Sequence, residues 1–186
     1  MLKKSFRYFV NKILLNSLAT KYHKMRILQL LSVLFIMSTN YNINAQTLTK
    51  AQKNDEKKFI KYADEALDVM KEQALKMNIV GTALVYYIPG DKTQSWISKM
   101  VVVGAMSNNG YNFLAIANSK AGEMAETYKN SGDKDRKPKN GEFGYIGGAI
   151  EKIDSGYILA TFSGASGEED LAVSNIGLNW LSQKFE

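Results

Sequence analysis

Apolar residues recur at spacings of three and four from Phe59 onward: Phe59, Ile60, Ala63, Ala66, Leu67, Met70, Ala74 and Met77, with charged residues between them. That period predicts an amphipathic helix of about six turns. Asn54 or Asp55 is placed to cap it, with acidic residues in its first turn. At Asn78 the period changes. Val80 to Ile88 is a branched and aromatic run closed by Pro89-Gly90-Asp91, which reads as a strand and a turn. Gln94 to Val103 is a second strand, with Trp96, Ser98 and Met100 on one face and Ile97 and Lys99 on the other. The short connection between the two predicts an antiparallel hairpin.

Ser107-Asn108-Asn109-Gly110 is a loop rich in helix-capping residues. Phe113, Leu114, Ala117, Ala121, Met124, Ala125 and Tyr128 then mark a second helix, whose alanine-rich face predicts a close approach to a sheet. Asn130 to Gly141 is a polar loop, and its charge run Asp133 to Lys139 reads as solvated. A glycine-punctuated stretch from Glu142 leads into a strand ending at Ile153. Asp154-Ser155-Gly156 is a turn, and Tyr157 to Phe162 is the partner strand. Ser163 to Gly167 is a tight loop; Ser166 and Glu169 have the spacing of a capping box, and Asp170 adds negative charge to that first turn. Val173, Ile176, Leu178, Trp180 and Leu181 carry the apolar side of a last helix. The order is helix, two strands, helix, two strands, helix, which predicts one α+β domain with a mainly antiparallel sheet and helices packed on it.

Charge divides the chain at residue 45. The whole sequence has a formal net charge of +6, but seven of its 24 Lys and Arg residues lie in residues 1–45, which hold no Asp or Glu. The remainder carries 17 basic residues against all 18 acidic ones. No basic face that would attract nucleic acid is therefore expected on the domain. Residues 1–45 read as a signal sequence: Lys24 and Arg26, an apolar run from Ile27 to Met37, and a polar stretch ending at Ala45. The run is too short for a stable membrane anchor, for which about 18 or more apolar residues are needed. Met25 is an alternative translation start. Residues 46–53 read as a linker and 54–186 as the domain, delivered to the periplasm or secreted. The chain has no cysteine, and its one histidine, His23, belongs to the leader. Catalysis by Ser-His-Asp or Cys-His sets is thus excluded from the domain, as are disulfides and the usual histidine ligation of zinc or haem.

The C-terminal half carries a specific pattern: Gly147-Gly148-Ala149-Ile150, a hairpin, then Ser163-Gly164 and Asp170 ahead of a helix, with Lys120-Ala121 in the middle helix. In these positions, and in its long first helix and following strand, the chain resembles the GlcG/HbpS-like family over about residues 55–182. It departs from the family where an Asp is common near the end of the first strand, since Tyr86-Tyr87-Ile88-Pro89 stands there. It also lacks the family's Arg-Met-Asp-Gly-Ala after the second strand, having Lys99-Met100, three valines and Gly104-Ala105. The resemblance implies a profilin-like fold, assembly into homo-oligomers and, in some members, binding of haem or a related tetrapyrrole.

The candidate ligand-binding residues are Lys99, Met100, Tyr145, Gly147, Gly148, Ser163, Gly164 and Asp170. Lys99 stands nearest the family's Arg and suits an anionic group. Gly141, Gly144, Gly147 and Gly148, with Phe143 and Tyr145, suit the backbone approach of a planar ligand, although turns and bulges need such glycines as well. The amides after Ser163 suit an anion, although Glu168, Glu169 and Asp170 already complement the helix dipole. Tyr86, Tyr87, Met100, Met106 and Tyr145 are the side chains able to ligate haem iron, each more often an ordinary part of a core or sheet surface. No catalytic set and no metal site is read. Three functions follow as expectations. The first is an exported small-molecule-binding protein, haem being one ligand. The second is an oligomeric scaffold or sensor-accessory module. The third is an enzyme without His or Cys, for which Lys120, Ser163 and Asp170 would have to meet in one cleft.

Overall fold

A computed structural model describes residues 47–186; the leader, with His23 and Met25, lies outside the described residues. Helix α1 spans Lys50–Lys76, strand β1 Gly81–Pro89 and strand β2 Ile97–Val103. Helix α2 spans Phe113–Thr127, β3 Gly148–Ile153, β4 Gly156–Ser163 and α3 Gly167–Ser182. The strands form one antiparallel sheet in the order β2-β1-β4-β3. The expected α+β class and helix–strand order are observed. None of the described helices is long and apolar enough to cross a membrane.

Alternation along the central strands creates a core on each face of the sheet. Ala83, Val85 and Tyr87 of β1 and Ile158, Ala160 and Phe162 of β4 pack with Phe59, Ala63, Leu67 and Met70 of α1 and with Val173, Leu178 and Leu181 of α3. Leu84, Tyr86 and Ile88, with Leu159, face Ala117, Ala121, Met124 and Ala125 of α2. The result is three layers, with α1 and α3 on one side of the sheet and α2 on the other. Every residue of β1 is buried, which explains why its sequence is a continuous apolar run rather than an alternating one. The alanine face of α2 does lie on the sheet, as small side chains there predict.

Several local expectations change. Helix α1 begins at Lys50, four residues before Asn54, so residues 50–53 are helical rather than linker. Its cap is Thr49, whose hydroxyl accepts the Gln52 N–H while the Gln52 side chain accepts the Thr49 N–H, a capping box. The first turns are held by the Tyr87 hydroxyl, which donates to the Gln52 carbonyl at 3.3 Å. The cap of α2 is Asn112, outside the expected Ser107–Gly110 loop, with its side chain accepting the Ala115 N–H. Ile60 and Ile176 belong to the apolar pattern but are exposed. The Ser166–Glu169 capping box forms as expected.

Helices α1 and α3 approach closely at Gly177, where an added Cβ would lie 2.3 Å from Met70 Cγ and 2.4 Å from Met70 Sδ. Gly177→Ala is expected to cost about 1–3 kcal/mol by overpacking. In a Met70→Ala background, where that side chain is gone, the same substitution costs less than half as much. Chemical denaturation of the two single variants and the double variant measures the difference.

Candidate functional site

One hollow of about 650 Å³ opens on the α2 side of the sheet. Its walls come from the loop before α2 (Asn108, Tyr111), the start of α2 (Phe113, Ile116, Lys120), residues 144–146, and the loop from Ser163 into α3. At its floor the Lys120 ammonium donates to Asp170 Oδ2 at 2.7 Å and to the Phe162 carbonyl at 2.8 Å. Asp170 Oδ1 in turn accepts the Ala165 N–H at 3.0 Å. Both side chains are at most 5% exposed. Burial pulls the Lys120 pKa below its ordinary value and pushes the Asp170 carboxyl above its own, with the mutual attraction of the pair working against both shifts. Removing these charges from water therefore costs more than their attraction returns, the usual balance for a buried ion pair.

Gly147 makes this arrangement possible. Its φ is +128°, and a Cβ there would lie 2.4 Å from Lys120 Nζ and 2.6 Å from Asp170 Cβ. Its carbonyl accepts the Ser174 hydroxyl at 2.7 Å. Gly148 is equally crowded, with Met124 Cε 2.8 Å from where its Cβ would be, and its N–H donates to Ser131 Oγ. Both glycines pack behind the floor and neither lines the hollow.

The loop before β3 positions the rim. Glu123, buried on α2, accepts the N–H groups of Gly132 and Asp133. Arg136 and Glu142 form a two-bond fork at 2.7 and 2.8 Å, so the charge run expected to be merely solvated is partly organised. Each group of that fork favours the charged form of the other, lowering the Glu142 pKa and raising that of Arg136. The Phe143 N–H donates to Ser119 Oγ on α2, and Ser131 Oγ donates to the Tyr145 carbonyl. The exposed rings of Phe143 and Tyr145 stack at 5.7 Å.

Of the sequence candidates, the structure gathers Tyr145, Ser163, Gly164 and Asp170 around the hollow, together with Lys120. Lys99 lies elsewhere: its place opposite Val85 turns it toward α1, where it pairs with Asp64. Met100 stands opposite Leu84 on the exposed part of edge strand β2, outside the hollow. Tyr86 and Tyr87 are fully buried, with hydroxyls bonded to Asn118 and Ser155. Burial raises the pKa of each phenol, and neither reaches the hollow. Tyr111, Phe113, Ile116, Ile146 and Glu168 also line the hollow but are not among the candidates; Phe113 reads as a helix-face position and Glu168 as a helix-start charge, and nothing in the sequence marks the others. No group of three His, Cys, Asp or Glu among the described residues could hold a metal ion.

No protein-family model matches the chain, and no curated protein matches it in sequence. Its structure is similar to that of Klebsiella pneumoniae protein ORFY, described by the family model DUF336, with 11% identity over 77% of this chain and 98% of that one, at a TM-score of 0.50. The two share a fold. That shared fold agrees with the one the family resemblance implied. Weaker likenesses are to the Ybr137w protein (17% identity, 83% of this chain and 97% of that one, TM-score 0.46) and to a double mutant of Streptomyces reticuli HbpS (15%, 75% and 90%, TM-score 0.42). At such identities the likeness concerns the fold and not what is bound.

Truncating one member of the buried pair leaves the other charge without a partner. Lys120→Met is expected to cost about 3–5 kcal/mol in stability, and the double variant Lys120→Met/Asp170→Leu markedly less. Denaturant unfolding of both variants checks this.

Proposed function

We propose that the chain is an exported binding protein whose hollow encloses a small planar molecule. The observation that carries this reading is a cavity of about 650 Å³ with a self-neutralised floor and exposed aromatic rings at its mouth. Binding sites for small molecules have that range of volume, and this lining mixes apolar side chains (Phe113, Ile116, Ile146) with several polar ones. The tyrosine faces at the rim suit stacking against a flat ring. Export to the periplasm or beyond the cell rests on the pattern of residues 1–45, and assembly into a homo-oligomer rests on the family resemblance.

Lys120, Ser163 and Asp170 do meet at one cleft, the arrangement that would favour an enzyme. Lys120 and Asp170, however, bond to each other and to backbone, and the Ser163 hydroxyl bonds to neither. No nucleophile is joined to a base, so the cluster supports binding over covalent catalysis. A hollow open to ligand also favours this reading over a purely structural scaffold.

Haem or a related tetrapyrrole is the ligand that the resemblance brings forward. Tyr111 and Tyr145 are oxygen donors of a kind haem iron accepts. The described residues nevertheless offer no imidazole or thiolate, and the single lysine lining the hollow is already paired with Asp170. Two propionates would find no free cation in that lining, so the donor set fits haem poorly.

Native mass spectrometry of the protein purified from its own host is expected to show a bound small molecule, and it reports the subunit count as well. Tyr145→Ala, an exposed change, is expected to weaken that binding about tenfold with no change in melting temperature. A bare chain whose melting temperature is unmoved by planar aromatic compounds would overturn the binding reading. A haemin titration with no Soret shift would remove haem alone.

A further inference from the structure

The charges lining the hollow do not cancel. Lys120 and Asp170 neutralise each other at the floor. Glu168, the remaining charged residue of the lining, stands exposed in the first turn of α3. Its neighbour Glu169 is occupied in the capping box, whereas the Glu168 carboxylate has no hydrogen bond or ion pair among the described residues. The exposed rings of Tyr111 and Tyr145 belong to the same lining. A carboxylate attracts a cation through its charge, and a tyrosine face attracts one through its quadrupole. An anionic ligand meets the same carboxylate with no free lysine or arginine in the lining to offset it.

We propose that the hollow selects planar ligands that carry positive charge, such as protonated aromatic amines or cationic heteroaromatic rings, over planar anions of the same size. This deepens the planar-ligand reading and rests on it. The flat part of the ligand stacks on the tyrosine rim, and its cationic group is held by Glu168. The paired floor supplies a dipole rather than a net charge, so it leaves the choice to the rim. Because Glu168 is exposed, salt weakens the preference.

The test uses two tricyclic probes of matched shape, the cation proflavine and the anion anthracene carboxylate, titrated by fluorescence into the purified protein at low and high salt. Proflavine is expected to bind at least about tenfold more tightly at low salt, with the gap narrowing as salt rises. Glu168→Gln shrinks the gap several-fold, Glu168→Lys reverses it, and Tyr145→Ala weakens both probes together. Equal binding of the two probes, or a ratio unmoved by Glu168→Lys, overturns the charge selection while the planar-ligand reading stands. Failure of both probes to bind, at either salt concentration, overturns that reading as well.

Discussion

The Lys120 ammonium joins parts of the molecule that share little other contact. It rises from α2, on one face of the sheet, and reaches past the end of β4 to Asp170 in the first turn of α3, on the other face. On the way it takes the Phe162 carbonyl, and Asp170 fixes the loop through the Ala165 N–H. The pair therefore ties the two helical layers together where the strand ends. The passage exists because Gly147 has no side chain: any Cβ there would overlap both partners. Two walls of the hollow, the α2 wall and the loop from Ser163 into α3, are pinned by this contact, so that part of its shape depends on the pair remaining intact.

The same interaction shapes what the hollow can do. A lone buried ammonium would demand an anion, and a lone buried carboxylate a cation or a proton. Joined, they form a polar but neutral floor in which each charge is engaged by the other and by backbone. The chemistry of recognition moves outward to the tyrosine rings and Glu168. The Tyr145 ring is placed by a chain of contacts that begins with the buried Glu123 and the Arg136–Glu142 fork and runs through Ser119 and Ser131, and Tyr111 is held by Asn108 in its own loop. A segment that reads as a charged loop in one dimension is thus the support for one wall of the site.

The misreadings have physical causes. Thr49 and Gln52 form a capping box inside a polar stretch with no apolar period after it, and that period starts only at Phe59. The early turns of α1 are secured instead by Tyr87, a contact across 35 residues. Ile60 and Ile176 fit the periodic pattern yet face outward, since periodicity defines a stripe but not the width that a neighbouring element covers. Lys99 matched a family position by order along the chain. Strand alternation turned it to the face of α1, where Asp64 receives it.

Local sequence determined the elements of this protein, because period, turn residues and the Ser166–Glu169 box act over a few neighbouring residues. It also determined the exclusion of imidazole and thiol chemistry from residues 46–186, since composition alone decides which groups are present. Only the tertiary structure decided that Lys120 and Asp170, 50 residues apart, neutralise one another. It alone decided that Gly147 and Gly148 are packing positions and that Tyr111, Ile116 and Glu168 share a cleft with Tyr145 and Ser163. Those outcomes depend on which face each strand turns and how closely each helix approaches, and such distances are set by packing between residues remote in the chain.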